Sequence, residues 1–400
     1  MDAQELFWGE KKMIRDFRLT VGELADVATQ LASRICEGLE KDGREIRALP
    51  TYISSHTSPS GEAVVVDLGG TNLRAARVRL TGGELEVLAG PACDALPVRR
   101  GEPLSRERFL DCQVSLVKRL GPCDGLPLGY CFSYPASATP SGDARVLHWT
   151  KEVQIPGTEG VLVGKLLLDA LSAAGVELSR VSVVNDTVAS LLAGVALGGA
   201  DGYLGLIVGT GTNMALSMKT TSISKLEEKH RHLGSMPVNL ESGNFVPPHL
   251  TEFDDQLDEG SSNPRQQRFE KAVSGVYLGR LLGLAAPELF FDPEFGAQGV
   301  VGLASQGLGG ELPGAIIQRS ADLVAASLAG GMAAVSEGTE MRDLSILAEG
   351  GLFWGAPGYA QRVSGTLESV LMEIGLSHLS FRLKSVPQAN FVGAAMGALA

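Results

Sequence analysis

The sequence predicts an α/β protein of two lobes of similar design, and three observations carry that expectation. Short β-branched runs alternate with apolar stretches at helical spacing. A strand, a Gly/Thr turn and a second strand occur twice, as Val65-Val66-Asp67-Leu68-Gly69-Gly70-Thr71-Asn72 and as Leu206-Ile207-Val208-Gly209-Thr210-Gly211-Thr212-Asn213. The two corners lie roughly one domain length apart in a chain of 400 residues, enough for two or three folding units at about 150 residues each.

Residues 19–49 place Val21, Leu24, Val27, Leu31, Ile35 and Leu39 at helical spacing, and Leu49-Pro50-Thr51 ends that region. Residues 63–68 form a strand, Gly69-Gly70 a turn and residues 71–80 the returning strand of a hairpin. Residues 128–132, 181–184 and 203–208 read as buried strands, and residues 161–174 and 187–196 as apolar helices. From Phe253 the chain turns acidic, passes Asn263-Pro264 and enters an amphipathic stretch over residues 266–284. The remainder is helical and alanine-rich, with one more strand-to-glycine corner at residues 344–351 and Met396 in the core. The acidic run at residues 252–259 reads as mostly a solvated face, and His230-Arg231-His232 as a solvated loop without a carboxylate at ligand spacing.

Hydrophobic residues at 44% and charged residues at 20% exclude disorder, coiled coil and collagen. The 46 acidic residues against 34 basic ones leave a net charge of -12, which repels nucleic acid and anionic membrane alike and points to small-molecule or protein partners. Fifty glycines stand well above the average of roughly 7%, as tight ligand-facing loops require. Five cysteines without a C-x-x-C pair read as reduced thiols. Residues 1–20 are too charged for a signal peptide, and residues 187–218 are broken by Asp201 and several glycines, so the expected location is the cytoplasm.

A strand that ends in Asp67 and turns on Gly69, Gly70 and Thr71 exposes backbone N–H groups and a hydroxyl in one concave corner, a way to hold phosphates without a lysine. Asp67 can then hold hydrated Mg²⁺. There is no G-x-x-x-x-G-K-[ST], and Gly209-Thr210-Gly211 lacks the third glycine of a dinucleotide fingerprint. Asn185-Asp186 is either a helix N-cap or a catalytic carboxylate with an orienting amide.

With both corners in view, the chain resembles the hexokinase family of the sugar kinase, Hsp70 and actin superfamily. Leu128-Gly129-Tyr130-Cys131-Phe132-Ser133-Tyr134-Pro135 and Leu147-His148-Trp149-Thr150-Lys151 are similar to its sugar-binding signature, and Val184-Asn185-Asp186-Thr187-Val188 to its catalytic segment. Leu49-Pro50-Thr51-Tyr52, the segment from Asn239 through Glu241 to Phe245, and the segment from Asp258 to Lys271 match as well. The likeness runs over residues 45–284 and more weakly to the end.

The resemblance implies a two-lobed ribonuclease-H-like (actin-like ATPase) fold with a central cleft. The small lobe would hold residues 57–186 plus about 386–400, and the large lobe residues 1–56 and 187–385. It implies ATP and Mg²⁺ as cofactors and a glycolytic hexokinase that moves the γ-phosphoryl group to the 6-hydroxyl of a hexose, glucose foremost. Asp186 would be the general base and Lys151 would steady developing charge. Sugar contacts would come from Ser133, Thr150, Lys151, Asn185, Asp186, Asn213, Glu241 and Glu259. Nucleotide contacts would come from Asp67, Gly69, Gly70, Thr71, Asn72, Arg74, Gly209, Thr210, Gly211, Thr212, Gly350 and Gly351. A monomer or homodimer is expected, and a catalytically weak hexose-binding sensor of the same family is the alternative. Glu152-Val153 and Ser242 stand where the family usually has Gly-Phe and an aromatic residue, and Ala389-Asn390-Phe391 where it has a Gly-Ser-Gly loop.

Overall fold

The computed structural model describes residues 14–55, 59–70, 72–99, 102–150, 153–289 and 291–400. Thr71 and Lys151 therefore lie outside the described residues. The strands run β1 Leu49–Pro50, β2 Gly61–Gly69, β3 Asn72–Thr81, β4 Glu84–Ala95, β5 Leu128–Phe132, β6 Ala136–Ala138, β7 Ala144–Val146, β8 Val181–Val184, β9 Gly202–Val208, β10 Thr212–Lys219, β11 Ser235–Asn239, β12 Asp343–Glu349 and β13 Ser380–Lys384.

Two sheets share one plan. The first has the order β4-β3-β2-β5-β8 and the second β1-β11-β10-β9-β12-β13. In each, three consecutive strands pair antiparallel, and two more add in parallel beside the first of the three. Helices follow the third, fourth and fifth strands of both plans: Arg106–Lys118, Val163–Ala173 and Asp186–Leu197 in the first, Leu312–Ser336, Tyr359–Glu373 and Ala389–Leu399 in the second. The repeated Gly/Thr corner is thus the first hairpin of each unit, and the pair of units makes the actin-like ATPase fold.

Sequence explains the central strands. Val64, Val65 and Val66 of β2 are fully buried, because helices cover both faces of that sheet, and a two-sided core selects a continuous β-branched run. The sheets are joined where the last helices cross. Helix Asp186–Leu197 lies on the second sheet, where a Cβ on Gly205 would come 2.2 Å from the Thr187 carbonyl oxygen. Helix Ala389–Leu399 lies on the first sheet, where a Cβ on Gly129 would come 2.2 Å from the Ala394 oxygen. Between the helices, a Cβ on Gly393 would come 2.1 Å from the Ala189 oxygen, so glycine sets the approach.

Three expectations are corrected. The first long helix is Val21–Glu40, opened by a Thr20/Glu23 capping box; residues beyond it do not continue the helix, since Gly43 takes a φ of +79° and Leu49–Pro50 pairs with β11. The stretch over residues 266–284 is two helices, Arg268–Val273 and Gly275–Ala285, because the Gly275 N–H leaves the helical ladder to bond the Gly209 oxygen at 2.7 Å. The acidic run is not merely solvated: Asp254 is buried on Arg319, with two bonds of 2.7 Å, and Asp258 is buried on Lys271 at 2.7 Å. Met396 is buried, and all five cysteines are free thiols. Among the described residues no helix is long and apolar enough to cross a membrane.

Candidate active site

Adjacent strand ends of the first sheet bring the carboxylates together. Asp67 of β2 pairs in register with Cys131 of β5, which pairs with Val184 of β8, one residue before Asn185. Burial pushes the Cys131 thiol well up, and the nearby Asp67 and Asp186 carboxylates push it further. Ser133 follows β5, with its N–H on the Leu68 oxygen at 3.1 Å and its side chain buried. Thr150 is half-buried, and its carbonyl accepts the Val153 N–H at 3.1 Å. Trp149 beside it packs edge-on against Tyr134, Phe132 and Phe109.

At the first turn, Gly69 pairs with Asn72 across the hairpin, Gly70 takes a φ of +69°, and the Tyr134 hydroxyl donates to the Gly70 oxygen at 2.8 Å. Gly69 and Asn72 are exposed. Asp67 is buried, and Arg74 donates to its Oδ2 from both Nε, at 3.0 Å, and a terminal nitrogen. Asn390 donates to Oδ1 at 3.2 Å, and Phe391 places its ring 5.3 Å from the Arg74 guanidinium carbon. The residues that replace the family's Gly-Ser-Gly loop therefore seat the Asp67–Arg74 pair.

The second turn has a different internal order. Thr210 is exposed at its tip, whereas Thr212 turns inward, its hydroxyl donating to the Ile207 oxygen at 2.9 Å and its N–H to Glu270 Oε2 at 3.0 Å. Gly350, at φ +119°, abuts this turn, since its Cβ would lie 2.2 Å from the Val208 oxygen, and Gly351 is exposed beside it. Burial pushes the neighbouring Glu349 carboxyl upward.

A chain of amides crosses between the sheets. Asp186 is the first residue of helix Asp186–Leu197, and its Oδ1 accepts the Thr187 N–H at 2.9 Å. Asn185 caps the same helix by accepting that N–H at 3.0 Å. Asn213 donates from Nδ2 to Asn185 Oδ1 at 3.4 Å and to Asn239 Oδ1 at 2.8 Å. Asn239 donates to Glu241 Oε1 at 2.8 Å, and Glu241 sits at a left-handed φ of +55°.

Glu259 ends helix Glu252–Glu259 exposed. The carboxylate brought to the Glu241 segment and the second turn is Glu270, which a Cβ on Gly211 would meet at 2.6 Å and whose Cβ lies 3.2 Å from a Cβ on Gly243. Sequence reasoning also gave no role to Asn239 or Asn390. The one signal for Asn239 and Glu270 was their place inside matched segments.

Two sequence-family models, both described as hexokinase, match residues 10–100 and 104–196 and residues 203–299 and 311–400. The chain belongs to the hexokinase family. It is 33% identical over 306 residues to a hexokinase of Schwanniomyces occidentalis, covering 72% of this chain and 64% of that one. It is 32% identical over 290 residues to hexokinase-3 of Mus musculus, covering 68% of this chain and 30% of that protein. The aligned region therefore spans less than two thirds of either hexokinase. The structure of Schistosoma mansoni hexokinase complexed with glucose superposes with a TM-score of 0.80 at 22% identity, covering 100% of both chains, which establishes the shared fold.

Proposed function

We propose that this chain is an ATP-dependent hexokinase that phosphorylates the 6-hydroxyl of a hexose. The observation that supports this best is the amide chain running from Asn185, beside Asp186, through Asn213 and Asn239 to Glu241, set between two glycine turns. Amides and carboxylates alternating in one array match the donors and acceptors of a polyol. The small lobe is taken as residues 57–186 with about 386–400, and the large lobe as the rest, so the array bridges the lobes.

Asp186 is the general base. Thr187 holds Oδ1, and among the described residues Oδ2 has no hydrogen bond, so that oxygen can take the hydroxyl proton as the alcohol attacks. Ser133, Thr150, Lys151, Asn185, Asn213 and Glu241 orient the sugar, and Glu270 takes the part the sequence assigned to Glu259. Arg74 and the turns at Gly69, Gly70, Thr71 and Asn72 and at Gly209, Thr210 and Gly211 cradle the phosphates, with Gly350 and Gly351 beside the nucleoside; Thr212 braces its turn from within.

Asp67 fits a hydrated Mg²⁺: Arg74 occupies Oδ2, while Oδ1 accepts a bond from Asn390 and keeps acceptor capacity for a metal-bound water. Held there through its water shell, Mg²⁺ would supply charge neutralisation to the nucleotide phosphates. The test is coupled ADP release with glucose, mannose, fructose and glucosamine. Hexose-dependent release supports the reading, and none with any hexose overturns it.

A further inference from the structure

We propose that Asn239 is a positioning residue of the hexose site: it fixes the Glu241 carboxylate and the Asn213 amide in their binding orientations without itself touching sugar. The inference rests on the hexose-site reading above. Its basis is a chain of forced orientations that starts at the backbone. Asn213 Oδ1 accepts the N–H groups of Met214, at 2.8 Å, and Ser242, at 3.1 Å. The Asn213 NH₂ group must therefore point the other way, where it meets Asn239 Oδ1 at 2.8 Å and Asn185 Oδ1 at 3.4 Å.

With its oxygen so engaged, Asn239 must present Nδ2 to its other neighbour, and there it donates to Glu241 Oε1 at 2.8 Å. An ionised carboxylate accepts only, and an amide NH₂ donates only, so this order cannot be reversed. Asn239 is 3% exposed, and β10 and β1 flank it through Ala215 and Leu49, so losing either end of the amide leaves a buried partner short of a hydrogen bond. Glu241 needs such a hold: its backbone is left-handed, a conformation unfavourable for a residue with a Cβ. Position 239 thus requires a donor at one end and an acceptor at the other.

Substitution by Asp distinguishes this role from generic packing. Asn239→Asp keeps the shape but sets a second carboxylate against Glu241, and the two share a proton only as pH falls. A shared proton restores the missing donor. Hexose and ATP affinities of the full chain are measured by calorimetry at pH 8 and pH 5.5 for wild type, Asn239→Asp and Asn239→Ala, with glucose as probe. At pH 8 both variants are expected to lose about 10-fold or more in glucose affinity, with ATP affinity within about twofold of wild type. At pH 5.5 Asn239→Asp regains most of its loss relative to wild type and Asn239→Ala does not. Glu241, Glu270 and Asp186 also face the site but are common to all three proteins, so the difference reads position 239. Glucose affinity within twofold of wild type in both variants, or glucose and ATP affinities falling together, overturns the proposal. If Asn239→Asp does not fold, the glucose-against-ATP split in Asn239→Ala decides by the same criteria. Wild type that binds no hexose would instead overturn the hexokinase reading itself.

Discussion

Asn213 Nδ2 lies 3.4 Å from Asn185 Oδ1, and this contact joins the two sheets across the cleft. It is the longest of the four hydrogen bonds the Asn213 side chain makes among the described residues, the others falling between 2.8 and 3.1 Å. The Asn213 amide is saturated without a ligand, so on the proposed hexose reading a sugar hydroxyl would enter most readily by taking over this long bond.

Asn185→Ser separates the two duties of that residue. Serine keeps an oxygen for the Thr187 N–H but loses the amide donors, and the two residues cap helices about equally well. Thermal stability is expected to stay near wild type while the hexose KM rises about 10-fold or more. A lower Tm with an unchanged KM, from paired melting and steady-state assays, would show Asn185 to be a cap alone.

Asp254→Asn is expected to be severely destabilising, by about 3–5 kcal/mol in denaturant unfolding, because Arg319 is 1% exposed and would keep an unpaired charge. Burial raises the Asp254 pKa, but Arg319 and Thr251 more than offset it, so the net shift is downward. A lowered carboxylate pKa contributes stability that is present at neutral pH and lost only as pH falls below about 4. Asp258, lowered in the same way by Lys271 against its burial, falls in the same window. A melting temperature that declines already between pH 6 and 5 through these pairs, removed in Asp254→Asn, would contradict the assignment.

These pairs show what the chain discloses in one dimension. The glycine hairpins at Gly69-Gly70 and Gly209 to Gly211 were legible because strand, turn and strand are contiguous, and their repetition announced the two-unit plan. Asn185-Asp186 was legible because capping and chemistry ask for the same residue types. Asp254 looked solvated because its partner Arg319 lies 65 residues away, and Asn390 reaches Asp67 across 323. Glu259 and Glu270 share one matched segment, residues 258–271, and only the folded chain, where the Thr212 N–H donates to Glu270 Oε2 at 3.0 Å, shows which of them meets the turn.

Gly393→Ala tests the crossing helices. The new methyl group would fall 2.1 Å from the Ala189 oxygen, within rigid helix backbone on both sides. Overpacking of that kind costs about 1–3 kcal/mol, so the Tm should drop by several degrees. An unchanged melting curve would mean that the helices separate freely at this point.

Trp149 should report hexose binding. Its indole N–H donates to Thr158 Oγ1 at 2.9 Å, and Thr150 follows it directly. Saturable hexose-dependent fluorescence change is expected without nucleotide and should be lost in Trp149→Phe, leaving Trp8 and Trp354, the latter 44% exposed, as a constant background. A signal that survives Trp149→Phe would place the change elsewhere.

If Asp186 removes the proton of the attacking hydroxyl, as proposed, single-turnover phosphoryl transfer by Asp186→Asn registers the loss of that step. The substitution keeps the shape of the side chain and an oxygen for the Thr187 N–H. The expected result is a chemical step slowed by at least about 10²-fold, with hexose affinity falling far less. A chemical step near the wild-type rate would show that Asp186 is not the general base.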